Sequence, residues 1–130
     1  MITEHPSCKT LAQQARLDYM NLGTGVVRIR CYDTNRPTDS TIAPGGLPLV
    51  ELPLLKPCGT LTNGIITLAP GAAQLVATTG TPVWGRMVNG NGATVLDCDV
   101  SGAAGSGDLK LTSTSLFQGG EVALLSGVLG

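Results

Sequence analysis

Few side chains in this sequence have the chemistry of a catalytic site. The chain of 130 residues contains one histidine, His5, which stands directly before Pro6 in an N-terminal tail. Histidine is the usual general base, but it needs a nucleophile and an orienting group within reach. The sequence has no G-x-S-x-G motif, no phosphate-binding loop and no dinucleotide fingerprint. We therefore expect no enzymatic activity, no catalytic residues and no cofactor.

The four cysteines, at positions 8, 31, 58 and 98, indicate buried thiols rather than a zinc centre. No two of them form a C-x-x-C pair, so a zinc site would have to be assembled from four distant segments. The even count permits two disulfides, but residues 1–9 carry His, Glu and Pro where a secretory signal needs an apolar run. We expect reduced thiols that pack as small apolar side chains, and no metal site. Whether any of them pair is left open.

One stretch matches the oxygen-ligand positions of a calcium loop. Asp97, Asp99, Ser101 and Gly102 stand at its first, third, fifth and sixth positions, and Asp108 stands at the twelfth. A calcium loop normally ends in a longer, bidentate Glu and lies between helices, whereas the flanks here alternate like strands. The alternation places both aspartates on one face of a strand. We therefore favour a strand followed by a loop of small residues, with calcium binding as the open alternative.

Composition excludes several classes of partner. Only 13% of the residues are charged, about half the usual share, and the mean hydropathy is +0.24. The eight basic residues are scattered and aromatic residues make up 3%, so we expect no nucleic-acid binding. No apolar run is long enough to cross a membrane as a helix, so we expect no membrane partner. A surface so poor in charge is typical of an assembly component that is covered in part by other subunits.

The hydrophobic periodicity predicts one helix at the start of the chain. Residues 7–22 have apolar side chains at three- and four-residue spacings, with Ser7 or Thr10 as the N-terminal cap and Gly23 past the end. The apolar stripe consists of Cys8, Leu11, Ala12, Ala15, Tyr19 and Leu22. It either packs across the rest of the domain or docks on a neighbouring subunit. The sequence favours neither of these two possibilities.

From residue 25 the period changes to two, which indicates strands. In residues 27–32 we expect Ile29 and Cys31 on one face, with Arg28, Arg30 and Tyr32 on the other. Residues 33–48 form a long polar loop that contains Arg36 and is typical of a binding arm or a mobile segment.

Short apolar runs between glycines and prolines predict the remaining strands. The expected strands are 49–55, 60–68, 74–79, 82–88, 94–100, 108–111 and 121–129. Pro53 is expected to place the first of these at a sheet edge. Asn63-Gly64 and the segment 89–92 are expected to form tight hairpin turns. Trp84 is interpreted as a core anchor rather than a ligand platform.

These elements predict an all-β fold of short antiparallel strands, either a sandwich or a barrel, with one N-terminal α-helix. We assign residues 1–24 to an N-terminal tail and amphipathic helix and residues 25–130 to a single β-sandwich domain. The candidate partner contacts are Leu11, Ala15, Tyr19, Arg28, Arg30, Tyr32 and Arg36.

Several segments resemble a family of small tailed-bacteriophage virion proteins. A strand leads into a D-x-x-R-P loop, formed here by Asp33 with Arg36-Pro37. An aromatic strand at 84–88, a turn at 97–102, the S-G-D-L-x-L segment at 106–111 and a T-S…G-G-x-V ending at 114–122 follow. The resemblance covers roughly residues 10–130. The chain departs from the family pattern in its four cysteines, its shorter and more apolar last strand, and the prolines near positions 48 and 53.

The resemblance implies a capsid decoration, or cement, protein with the fold of a jelly-roll-like β-sandwich. Such a protein binds the major capsid protein and stabilises its lattice. It further implies a homo-oligomer that is made in the host cytoplasm and carried on the capsid exterior of the virion. Two alternatives stay open. One is a tail or fibre module that recognises a host surface glycan, and the other is a hydrolase subunit.

Overall fold

The computed structural model describes residues 3–130, so the first two residues of the predicted N-terminal tail lie outside the described residues. One helix, α1 (Pro6–Met20), precedes nine strands. The strands are β1 (Arg28–Tyr32), β2 (Val50–Thr62), β3 (Ile65–Pro70), β4 (Gln74–Leu75), β5 (Trp84–Val88), β6 (Thr94–Gly102), β7 (Leu109–Leu111), β8 (Glu121–Val122) and β9 (Leu124–Leu129). Every predicted strand segment overlaps at least one of them, although β2 extends across two predicted segments, and residues 33–48 form a loop as expected.

Seven of the strands close into a barrel in the order β1-β2-β3-β9-β7-β6-β5, and β4 and β8 form a separate two-stranded sheet. All the pairings are antiparallel except that between β6 and β7. The all-β class with one N-terminal helix is confirmed. The jelly-roll-like sandwich is not confirmed, because the seven strands form one closed sheet rather than two stacked ones.

The barrel interior holds the core, and β1 shows why. Ile29 and Cys31 point inward and are fully buried, as their alternation with polar neighbours predicts. On the neighbouring strand β5, Met87 pairs with Ile29 and joins the same cluster. One face of each long strand therefore supplies the apolar filling.

Pro53 does not lie at an edge, so that prediction is wrong. In β2, Pro53 pairs with Arg28 of β1, and the next residue, Leu54, pairs with Pro70 of β3. The Pro53 carbonyl accepts a hydrogen bond from the Gly71 N–H at 3.0 Å, one residue past the end of β3. Because the nitrogen and carbonyl of a strand residue point to the same side, the missing N–H of Pro53 faces a point where the ladder has ended.

Both predicted hairpin turns are confirmed. Asn63 and Gly64, with φ of 52° and 76°, form the two-residue turn between β2 and β3. In the turn between β5 and β6, the Asn89 side-chain oxygen accepts from the N–H groups of Asn91 and Ala93 at 3.0 and 3.1 Å. Both turns lie at the same end of the barrel.

Helix α1 covers that end of the barrel. The Gln13 amide donates to the carbonyls of Gly64 and Leu129, each at 3.0 Å, and the Asn89 amide donates to the Tyr19 carbonyl at 3.1 Å. Neither predicted cap is the N-cap, because the helix begins at Pro6 and both Ser7 and Thr10 lie within it. Its N-cap is His5, whose Nδ1 accepts from the Ser7 N–H at 3.1 Å, and Pro6 occupies the first turn.

The helix face that packs on the barrel is not the predicted stripe. Gln13, Leu17 and Met20 are buried, and Met20 is completely covered. At 100° per residue these three lie opposite Ala15. The predicted stripe therefore faces away from the barrel, and all six of its members are exposed. Of the two possibilities that the sequence left open, the structure excludes packing of this stripe against the chain's own barrel.

The opposite end of the barrel is closed by loop segments and the small sheet. Leu49, just before β2, and Val122 of β8 belong to the core cluster together with Val76 and Leu116. The Leu49 carbonyl accepts from the Ala77 N–H at 2.8 Å, which ties the segment after β4 to the start of β2. Both ends of the barrel are thus closed by chain outside the seven strands.

Three of the cysteines are core residues. Cys31, Cys58 and Cys98 are buried free thiols, and Cys8 is an exposed one on α1. Cys31 and Cys98 flank Gly85 from the strands on either side of β5, which puts two strand spacings between them and excludes a disulfide without movement. Burial raises the pKa of Cys31 and of Cys98 to about 12 and also raises the pKa of Cys58.

We expect the helix to stabilise the barrel through its inner face alone. Leu17→Ala should lower the free energy of unfolding by about 2–5 kcal/mol, because it opens a cavity at the end of the barrel. Leu11→Ala, on the same helix but 73% exposed, should change it by less than about 0.5 kcal/mol. Urea unfolding monitored by circular dichroism measures both. Equal effects would contradict the assignment of faces.

The thiols should differ in reactivity in the way their burial dictates. With iodoacetamide at pH 8 to 10, native protein should gain one adduct, at Cys8, because the other three thiols are buried and burial raises the pKa of each. In denaturant the same protein should gain an adduct on each of its four cysteines. Intact-mass spectrometry counts the adducts, and peptide mass spectrometry identifies the labelled cysteines. Fast labelling of Cys31 or Cys98 in the native state would show that the barrel opens.

Candidate interaction surface

The outer face of β1, β5 and β6 carries a cluster of charged and aromatic side chains. Arg30 of β1 pairs with Arg86 of β5, which pairs with Asp97 of β6. Two residues further along β1, the same register pairs Tyr32 with Trp84. Since alternate residues point to opposite sides of a sheet, these five side chains all project outward from the barrel.

The centre of this face is a buried ion pair between Arg86 and Asp97. The Arg86 Nε and Nη2 atoms donate to the two Asp97 carboxylate oxygens at 2.7 and 3.0 Å. The two side chains are only 7% and 4% exposed. These hydrogen bonds raise the pKa of Arg86 above its usual value, although burial opposes that shift. A bidentate geometry of this kind compensates the cost of removing both charges from water.

An aromatic stack lies beside the ion pair. The rings of Tyr32 and Trp84 are stacked with centroids 4.7 Å apart and an interplanar angle of 19°. The Arg86 guanidinium lies 5.6 Å from the Trp84 ring centroid, close enough for a cation–π interaction. Both aromatic residues are buried, and burial is the main cause that raises the pKa of Tyr32. Tyr32, predicted as a surface contact, is therefore not at the surface.

The loop of residues 33–48, which we call the covering loop, explains how an outward stack is buried. Four residues after Tyr32, Arg36 donates to the Asp99 carboxylate and to the Asp97 carbonyl, each at 3.0 Å. These acceptors lie on β6, two strands away from β1 and on the far side of β5. The chain must therefore cross the outer face of β5, where Trp84 lies.

Two polar atoms on this part of the fold have no hydrogen-bond partner. They are the Trp84 indole Nε1 and the hydroxyl of Thr34, in the covering loop, and both are inaccessible to solvent. A buried donor that loses water without gaining a partner costs about 1–3 kcal/mol. The covered arrangement is therefore less stable than its packing alone would suggest.

Arg28 and Arg30 form the exposed rim of the same face. Both approach one carboxylate oxygen of Glu51, at 3.8 and 3.5 Å, so two guanidinium groups share a single anion. Half-exposed ion pairs of this length contribute little to stability. A small hollow of about 110 Å³ lies between Arg28, Glu51, Pro53 and Gln74. The rim therefore presents excess positive charge to solvent.

The helix provides a second, apolar surface at the end of the barrel where β1 begins. On α1, Leu11 is 73% and Tyr19 42% exposed, and Ala15 lies exposed between them. A wide open hollow of about 770 Å³ lies beside the first turns of the helix, with Leu11, Lys9 and Asn63 in its wall. The covering loop begins at the other end of β1, so it lies toward the opposite end of the barrel from the helix surface.

The structure favours the strand interpretation of the calcium-like segment. Asp97 is bound to Arg86 and Asp99 to Arg36, so both candidate ligands have arginine partners. Cys98 and Val100 point into the core, as the alternation predicts. Within residues 3–130 no three His, Cys, Asp or Glu side chains are grouped closely enough to hold a metal ion.

Four of the seven predicted contacts thus belong to one face, namely Arg28, Arg30, Tyr32 and Arg36, while Leu11, Ala15 and Tyr19 belong to the helix surface. Sequence reasoning missed Arg86, Asp97 and Glu51 as parts of this face. The signal was present in the strand around Trp84, where Arg86 has the same parity as the tryptophan and therefore the same side of the sheet.

Comparison with known proteins identifies no relative. No family model, no curated protein and no solved structure matches the chain. Across the described part of the chain, no helix is both long enough and apolar enough to span a membrane.

The two aspartates of β6 should differ sharply in their effect on stability. Asp97→Ala should lower the free energy of unfolding by about 3–5 kcal/mol, because it leaves the Arg86 charge buried without its partner. Asp99→Ala should lower it by less than about 1 kcal/mol, since the Asp99 side chain is 67% exposed. Denaturant unfolding of the two variants makes the comparison. A small loss in Asp97→Ala would show that Arg86 is hydrated in solution.

Proposed function

We propose that this chain is a structural protein of a tailed-phage particle, of the capsid decoration or cement type. It would bind the major capsid protein on the capsid exterior, together with further copies of itself. The observation that carries the proposal is the outward stripe of α1. This helix uses one face to close its own barrel and exposes a second apolar face at the end of the molecule.

The exposed stripe fits a contact with another protein better than it fits solvent. Leu11 and Tyr19 are large apolar or amphipathic side chains. The buried centres of protein interfaces are more apolar than the rest of the surface, and tyrosine is enriched there. The helix that carries them is anchored through Gln13 and Asn89 to both hairpin turns of the barrel, so the surface is preorganised. Low overall charge supports the same conclusion, because a chain with 13% charged residues has little means of solvating an isolated surface.

The closed barrel suits a mechanical role. All seven of its strands pair on both sides, so force or heat must break a complete ring of ladders before the body opens. The stripe lies at one end of this body, and the covering loop begins at the other end. A molecule with two binding surfaces so placed can bridge neighbouring subunits, and repetition over a lattice turns modest contacts into strong attachment. The jelly-roll-like form that the resemblance implies is not needed for this role.

The decisive measurement is the copy number of the chain in purified particles. Quantitative mass spectrometry against the major capsid protein should find hundreds of copies, in a fixed ratio to the capsid lattice. A small total in multiples of three or six would instead assign the chain to the tail, as the host-recognition alternative requires. Absence from the particles would overturn the structural role altogether.

The stripe itself is tested by a surface variant. Leu11→Ser combined with Tyr19→Ser should lower the occupancy of the particles, because it removes apolar contact area while leaving the inner face of α1 intact. The matched control is Leu125→Ser, which changes a side chain 51% exposed on β9. Both variants should melt within a few degrees of the wild type. Full occupancy by the double variant would contradict attachment through the helix.

A further inference from the structure

The covering loop conceals an interaction surface, and the evidence begins with its attachment. Within the described chain, residues 33–48 contain no strand or helix, and Arg36 provides the side-chain hydrogen bonds that join them to β6. The Arg36–Asp99 pair is exposed, with the two side chains 44% and 67% accessible. An exposed pair is easily screened or exchanged. The loop is therefore fastened by a contact that solvent and partners can reach.

The side chains beneath the covering loop are not typical of a permanently buried layer. The stacked rings of Tyr32 and Trp84 project outward from the barrel and lie outside the main core cluster. Covering them leaves the Trp84 Nε1 and the Thr34 hydroxyl without partners. Lifting the loop would let both polar atoms reach water or a partner's acceptor, which offsets part of the cost of exposing the rings.

We propose that the covering loop opens, and that the surface beneath it binds an acidic segment of another protein. The charge on this face selects the partner. Arg28 and Arg30 share one carboxylate, and Arg36 is released from Asp99 when the loop lifts. A carboxylate on the partner replaces Asp99 at Arg36, and an apolar side chain next to it packs on the exposed aromatic stack. The partner thus holds the open form by binding only to that form.

This inference does not rest on the proposed function, because it is tested on the isolated protein. Trp84 is the sole tryptophan of the chain, so its fluorescence reports on the covered site alone. Arg36→Ala and Asp99→Asn should each shift the emission to longer wavelength. Each should also raise the acrylamide quenching constant, by up to about fivefold where one exposed ion pair sets the opening equilibrium. The matched control is Arg16→Gln, which removes an exposed arginine of α1, at the other end of the barrel from the start of the covering loop.

Two further quenching experiments vary the salt concentration and add a polyanion. In wild-type protein 1 M NaCl should raise the quenching constant, because it screens the Arg36–Asp99 pair, and in Arg36→Ala it should have no such effect. At low salt, poly-L-glutamate should open the wild-type loop and raise quenching, whereas poly-L-lysine should not. Circular dichroism should show every variant folded.

Two results would overturn the proposal, and they are distinguishable. If Trp84 remains as shielded in Arg36→Ala and Asp99→Asn as in the wild type, the loop is a fixed part of the fold. If these variants open but poly-L-glutamate leaves the wild type unchanged, the surface does not select an acidic partner.

Discussion

Closure of the seven-stranded ring is the constraint on which the rest of this structure depends. A closed sheet leaves no free edge, but it creates two open ends and an apolar interior that water must not enter. Helix α1 fills one end with Leu17 and Met20, and segments around Leu49 and Val122 fill the other. Because the covering elements come from outside the ring, each has a second face that the barrel does not use. The exposed stripe of α1 is such a second face.

The outer side of β5 shows the same constraint at residue level. All five residues of this strand are buried, although only alternate ones point into the barrel. The outward set, which includes Trp84 and Arg86, is buried by the covering loop and by the ion pair with Asp97. A barrel strand covered on both faces is typical of the interior of a larger sheet assembly. Here a loop replaces the second layer, and it does so with two polar atoms unpaired.

Local features of this fold could be predicted from the sequence, and long-range pairings could not. The alternation of Ile29 and Cys31 with Arg28 and Arg30 identifies β1 and its faces, and Asn63-Gly64 identifies a hairpin turn, because both signals lie within a few residues. Whether the strands close into a barrel or stack as a sandwich depends on contacts such as β3 with β9, more than fifty residues apart in the sequence. Pro53 illustrates the difference. Its missing N–H argued for an edge, and only the end of β3 at Pro70 shows how an inner strand accommodates it.

The packing face of α1 and the buried ion pair were hard to predict for a shared reason, which also bears on function. An apolar stripe normally marks the face that packs, but α1 packs through Gln13, whose amide satisfies two carbonyls at the barrel rim, while its stripe faces out. Likewise the sequence suggests that Arg86 and Asp97 are polar surface residues, but in the structure both side chains are nearly inaccessible to solvent. In both places a polar group does structural work that apolar residues usually do. As a result, two sets of apolar groups, the stripe of α1 and the aromatic stack, are not needed to close the barrel. In a chain with so few charges, apolar groups that its own fold does not require support the proposed contact with other proteins.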